Sequence, residues 1–218
     1  MTGGWYPFFR VTLKWVGLAL TRARVSGIAH IPRDGPFFLV ANHESILDPF
    51  LVQGNCPRTT HFFAKSTQFT ANAVFGWFLP RVAAIPARRY RVDPQSVRTA
   101  LRALERGDGV GIYLEGERSW DGALQPFRRG SIRLILGAGV PVVPCCVSGS
   151  YDAWPRWTRS RRRAPAHVRY GEPLHFGVHE TRAAREAALD GCAERLAQAL
   201  RDLRVEPPPR PWPTGGGA

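Results

Sequence analysis

The sequence predicts a single α/β domain, a mainly parallel sheet flanked by helices, with an amphipathic helix ahead of it that lies on a membrane surface. Three observations predict this. Short apolar runs at Phe37 to Ala41, Thr60 to Ala64, Val82 to Ile85, Val110 to Leu114 and Pro141 to Val147 have the texture of strands buried on both faces. Helical patterns fall between them, and strands alternating with helices build a parallel sheet. The chain has 218 residues, 44% hydrophobic and 22% charged, enough for one domain with its own core.

The elements follow in order. From Trp5 to Leu20 a helix opens with Pro7 in its first turn. Arg10, Lys14, Gly17 and Thr21 recur on it as one narrow stripe, and nearly every other position is apolar. A helix of about 14 residues spans only about 21 Å, too short to cross a bilayer. Arg10 and Lys14 also interrupt the apolar stretch that a signal peptide needs. The expectation is a surface helix over 1–22, with Phe8, Phe9 and Trp15 in the lipid and the two cations toward headgroups. The alternative is packing on the domain's own core. The main domain is expected over 23–205. Within it Asp93-Pro94 caps a helix that carries Val97, Ala100, Leu101 and Leu104 on one face and stops at Gly107. A longer helix near 180–204 aligns Leu189, Cys192, Leu196, Leu200 and Leu203. The Pro/Gly-rich stretch 206–218 reads as a loose tail.

Charge and cysteines narrow the function classes. Thirty Lys+Arg against 17 Asp+Glu give a net charge of +13, almost all from arginine, which favours a polyanionic partner: anionic lipid, phosphorylated substrate or nucleic acid. The four cysteines form no C-x-x-C pair, against a zinc or redox motif and in favour of a reducing compartment. Walker A, G-x-S-x-G and G-x-G-x-x-G patterns are missing, so no nucleotide or covalent-serine mechanism is indicated.

Chemistry concentrates just beyond three of the predicted strands. Asn42-His43-Glu44-Ser45-Ile46-Leu47-Asp48-Pro49 places a histidine where an α/β enzyme puts a base, with an Asp that can hold the imidazole in one tautomer. One helix across both would leave them about 140° apart around its axis. Asp48-Pro49, read as an N-cap followed by Pro, keeps 43–47 in a loop, and capping could equally be the whole role of Asp48. Glu115-Gly116-Glu117-Arg118-Ser119, with Pro126-Phe127-Arg128-Arg129-Gly130 downstream, offers a tight turn, donors and cations suited to an anionic substrate. Ile85-Pro86-Ala87-Arg88-Arg89 adds two arginines beyond another strand. A base without a nucleophile of its own implies that the substrate brings one, typically a hydroxyl.

In order and separation these blocks, followed by Val140-Pro141-Val142-Val143-Pro144, resemble the glycerophospholipid acyltransferases, the family of the 1-acyl-sn-glycerol-3-phosphate enzymes. The resemblance covers about 40–148. It implies transfer of an acyl chain from acyl-CoA or acyl-carrier protein to a hydroxyl of lysophosphatidate or a related lyso-lipid, with no cofactor or metal. His43 would be the general base and Asp48 its partner, while Arg89, Glu115, Gly116 and Arg118 would hold the acceptor. The expected partner is a phospholipid membrane, not nucleic acid, and the expected location is the cytoplasmic face of the cell membrane. Leu114, Glu117 and Ala83 depart from the family's usual Pro, Thr and Gly. Two other readings stand beside it: a basic, non-enzymatic protein that binds membranes or nucleic acid, motivated by Arg156 to Arg163, and an acyl thioester hydrolase.

Overall fold

In a computed structural model that describes residues 4–88 and 93–206, the chain runs α1 (Tyr6–Leu20), β1 (Arg22–Ser26), β2 (Phe37–Ala41), α2 (Asp48–Asn55), β3 (Thr60–Lys65), α3 (Ala73–Arg81), β4 (Ile85–Ala87), α4 (Pro94–Glu105), β5 (Gly109–Tyr113), α5 (Arg129–Ala138), β6 (Val142–Ser148), α6 (Ser150–Ala153), β7 (Pro165–Tyr170) and α7 (Arg182–Leu203). The strands form one sheet in the order β1-β7-β6-β2-β5-β3-β4. β6, β2, β5, β3 and β4 run parallel, and β7 turns antiparallel against β6 with β1 parallel beside it.

Central β2 is buried at every position because both faces of the sheet are covered. Phe38 and Val40 face a core built with α4, α5 and α7, through Ala100, Leu104, Ile132, Leu136, Leu189 and Leu196. Phe37, Leu39 and Ala41 point the other way, toward Leu51 and Val52 of α2 and Tyr170 of β7. The carboxyl ends of the five parallel strands therefore open on one edge, where a doubly covered sheet collects its ligands.

Two parts of the expected order change. The strand expected over Val82 to Ile85 begins only at Ile85, because Val82 to Ala84 form a turn in which the Ala83 N–H donates to Pro80 O at 3.2 Å and the Ala84 N–H to Leu79 O at 3.0 Å. Ala83 sits there at φ 57, where glycine would be unstrained. The run is apolar because Val82 lies beneath Phe9 and Leu13 of α1, not because it pairs in the sheet. The second change is the pair β1 and β7. Their inward residues Ala23, Val25, Ala166 and Val168 alternate with arginine and histidine, so neither makes a continuous apolar run. The expected tail lies outside the described residues from 207 onward.

Helix α1 binds the domain through the stripe that was expected to face headgroups. Gly17 and Thr21 are buried, and Arg10 Nη1 donates to Gly54 O and Cys56 O at 3.3 Å, a cation at the carboxyl end of α2. Tyr6, Phe9 and Leu13 are buried on the same side. The two helices approach so closely that a Cβ on Gly54 would lie 2.5 Å from the backbone nitrogen of Lys14. Gly54→Ala is therefore expected to push α1 off α2 and to lower stability by about 1–3 kcal/mol. Urea unfolding checks this, and an unchanged midpoint would contradict the close packing.

Candidate active site

His43 leaves the carboxyl end of β2 two residues beyond Ala41, and the chain must turn sharply before α2 begins. The turn is organised by the Asp48 side chain. Its Oδ2 accepts the Glu44 N–H at 2.7 Å, the Ser45 N–H at 2.8 Å and His43 Nδ1 at 2.7 Å, and its Oδ1 accepts the Ser150 hydroxyl at 2.6 Å. Asp48 is thus the first residue of α2, with Leu47 at the N-cap position, and its carboxylate serves the loop before it. The capping role expected for it is not what the structure has. With Nδ1 donating to the carboxylate, the neutral ring keeps Nε2 as an acceptor, and Nε2 has no hydrogen-bond partner among the described residues. The ring lies against Tyr113, at the end of β5, with centroids 4.0 Å apart and 15° between planes. Behind it, Asn42 exchanges two 2.8 Å hydrogen bonds with the backbone of Val147 and ties β2 to β6 beyond their last shared pair.

The block after β5 grips the His43 backbone from the other side. Glu115 Oε1 accepts the His43 N–H at 3.1 Å, and the Ser119 N–H donates to His43 O at 2.7 Å. Gly116 turns the chain at φ 75, the left-handed region where its lack of a side chain matters. Arg128 braces this turn, Nε on Glu115 O at 3.2 Å and Nη2 on Glu117 at 3.2 Å. Arg129 leads away to Asp190 of α7 at 3.0 Å. The Ser119 hydroxyl, expected to face substrate, donates to Asp121 at 2.8 Å.

His43, Gly116 and Arg118 line one cavity of about 470 Å³. Lys65 and Arg156 add cations to its wall, while Phe50, Phe62, Phe75, Phe78 and Leu79 give it a large apolar surface between α2, β3 and α3. Lys65, Arg156 and the α3 aromatics were not singled out as site residues from sequence. The signal for Lys65 was its place at a strand's carboxyl end; Arg156 sat within an arginine run and looked like general charge. That run has divided roles, since Arg162 Nε donates to Asp152 O at 2.7 Å and Arg163 Nε to Thr21 O at 3.4 Å. Arg89 lies outside the described residues.

The lipid-facing residues expected on α1 also divide. Phe8 and Trp15 are 62% and 64% exposed, with Trp5 beside them at 67%, whereas Phe9 is only 7% exposed and packs edge-on against Trp77 and Phe78. Phe9 is a core residue, and the exposed face follows Trp5, Phe8, Val11 and Trp15, three or four positions apart. Among the described residues no helix is long and apolar enough to cross a membrane.

Comparison with known proteins shows the family and the fold. The acyltransferase family matches residues 22–148, more than half of the chain. The 1-acyl-sn-glycerol-3-phosphate acyltransferase of Bacillus subtilis (strain 168) is 27% identical over 201 residues, which cover 91% of this chain and 96% of that protein. The chloroplastic 1-acyl-sn-glycerol-3-phosphate acyltransferase BAT2 of Brassica napus is 28% identical over 155 residues; the match covers 69% of this chain and 40% of that one. The crystal structure of the 1-acyl-sn-glycerophosphate (LPA) acyltransferase PlsC from Thermotoga maritima shares the fold, with a TM-score of 0.71 at 22% identity over 91% of this chain and 80% of that one.

Two buried carboxyls flank the histidine loop. Glu44 is pushed up to about 8, first by burial and then by the charge of Asp48, against which Arg204, 3.3 Å away, pulls only partly. Glu115 is also pushed up to about 8, chiefly by burial; its Oε2, like the Tyr113 hydroxyl, is buried with no hydrogen-bond partner among the described residues. Both groups keep their protons in the folded chain at pH values where the unfolded chain has lost them. Stability is therefore expected to fall as pH rises from about 4.5 to about 8. Glu115→Gln, which stays neutral throughout, should show a shallower fall in its urea midpoint between pH 5 and pH 8 than the wild type. Equal slopes would contradict the burial argument.

Proposed function

Since the chain belongs to the acyltransferase family, we propose that it transfers a fatty acyl group from a thioester, of CoA or of acyl-carrier protein, to a hydroxyl of lysophosphatidate or a closely related lyso-lipid. The observation that carries this reading is His43: Nδ1 is held on Asp48 while Nε2 has no partner among the described residues, in a cavity with both cationic and apolar walls.

In this mechanism His43 Nε2 takes the proton of the acceptor hydroxyl as its oxygen attacks the thioester carbonyl. Asp48 holds the ring and favours the imidazolium that forms. Collapse of the tetrahedral intermediate breaks the C–S bond, and the imidazolium returns the proton to the departing thiolate. No acyl-enzyme is needed, because the acceptor supplies the nucleophile. The acceptor phosphate is assigned to Arg118 and Arg89, with Gly116 making the turn that presents Arg118, and Glu115 holding that turn. The apolar wall of the cavity takes the hydrocarbon.

Substrate and product are lipids, so the enzyme works at a bilayer surface, held peripherally by Trp5, Phe8 and Trp15, on the cytoplasmic face where soluble thioesters are available. The exposed aromatic face of α1 supports this attachment.

His43→Ala is expected to lower kcat by about 10²–10⁴-fold with little change in unfolding midpoint. Asp48→Asn should also lower kcat, by at least about tenfold, because an amide cannot favour the imidazolium. Near-normal turnover in His43→Ala would remove it as the base. For the membrane, Phe8→Ser with Trp15→Ser should release the protein from sedimenting liposomes at any ionic strength, while Phe9→Ser should instead destabilise the fold. Full pelleting of the double variant with neutral vesicles would refute the surface-helix assignment.

A further inference from the structure

Arg156 lies in the loop after α6, beyond the region matched to the family, yet it lines the same cavity as His43 and Arg118. Its guanidinium is fixed on three sides. Nη1 donates to Glu117 at 3.1 Å and to Arg118 O at 2.7 Å, and the plane sits over the Trp120 ring with Cζ 3.8 Å from the centroid. Its side chain is only 18% exposed. Among the described residues Nε and Nη2 have no hydrogen-bond partner, so one edge of the planar fork is held by protein and the other is unused. A largely buried cation with its rotamer already fixed loses little entropy on gaining a ligand, and a free guanidinium edge matches two oxygens of a phosphate.

We propose that Arg156 binds a substrate phosphate, with Glu117 and Trp120 as the residues that position it. The inference rests on the reading of the cavity as the site of acyl transfer. Glu117 also holds Arg128 at 3.2 Å, so its carboxylate links the turn after β5 to the loop after α6 and sets the spacing between Arg118 and Arg156. A phosphate is carried by the lysophosphatidate acceptor and by a CoA or phosphopantetheine donor, and the guanidinium edge recognises the same oxygens in each.

The test is steady-state transfer by Arg156→Gln and Arg156→Lys in four substrate arms: lysophosphatidate or 1-monoacylglycerol with fixed acyl-CoA, and acyl-CoA or acyl-pantetheine with fixed lysophosphatidate. In Arg156→Gln, KM for the phosphate-bearing partner is expected to rise about tenfold or more, as befits loss of a charged hydrogen bond, with kcat changed less. Lys should recover only part of the loss, having no planar fork. A rise confined to lysophosphatidate assigns the acceptor's phosphate to Arg156; one confined to acyl-CoA assigns the donor's. KM values within twofold of wild type in every arm would overturn the proposal, as would the same loss with the phosphate-free substrates. Calorimetric titration with glycerol 3-phosphate reads binding without turnover. Heat in the wild type that disappears in Arg156→Gln supports the proposal even if no acyl group moves, an outcome that would instead refute the acyl-transfer reading. A wild type that shows neither this heat nor a phosphate-dependent KM refutes it.

Discussion

The carboxylate of Asp48 is the interaction on which the site depends. Four donors from two parts of the chain converge on its two oxygens: the His43 ring, two successive backbone N–H groups and the Ser150 hydroxyl. A loop that must reverse direction between β2 and α2 would otherwise leave the Glu44 and Ser45 N–H groups buried without partners, a cost of about 1–3 kcal/mol for each. One side chain therefore closes the loop, fixes the ring and joins the end of β2 to the start of α6. The same geometry explains why Asp48 need not cap its own helix. Its oxygens are already filled by groups upstream, and Pro49, in the first turn, needs no acceptor.

Helix α2 extends this constraint outward. Its first residue anchors the His43 loop, and its carboxyl end receives Arg10 and the close approach of α1 at Gly54. Helix α1 therefore lies along α2, with Gly17 against Phe50 and Leu51 and Lys14 against Gly54, so the two helices form one packed unit behind the His43 loop. The cavity wall completes the arrangement: aromatic residues from β3 and α3 enclose a volume suited to hydrocarbon, and the arginines come from the loops after β5 and α6.

Much of this was legible in the sequence, and the reasons differ by element. The central strands announced themselves because burial on both faces leaves only apolar residues, as in Phe37 to Ala41. The cap at Asp93 was equally readable: its Oδ1 accepts the Ser96 N–H at 3.3 Å. β1 and β7 were not, because strands toward one edge of the sheet keep arginines and histidine on one side. The apolar run at Val82 misled for the opposite reason, since a turn roofed by a helix is as apolar as a strand. In the site, the spacing of His43 and Asp48 carried their pairing once the intervening residues were read as loop. Arg156 was illegible because its partners Glu117 and Trp120 are some 40 residues away in sequence. The stripe of Arg10, Gly17 and Thr21 looked like a headgroup-facing edge, but a small residue at helical spacing serves equally well for close helix packing.

The most direct test of the Asp48 constraint is the tautomer of the neutral His43 ring, read from its ¹⁵N chemical shifts in the intact protein. The structure predicts a protonated Nδ1, a bare Nε2 and a low-field Nδ1 proton that is lost in Asp48→Asn. A neutral ring protonated at Nε2, or shifts that ignore the substitution, would contradict it.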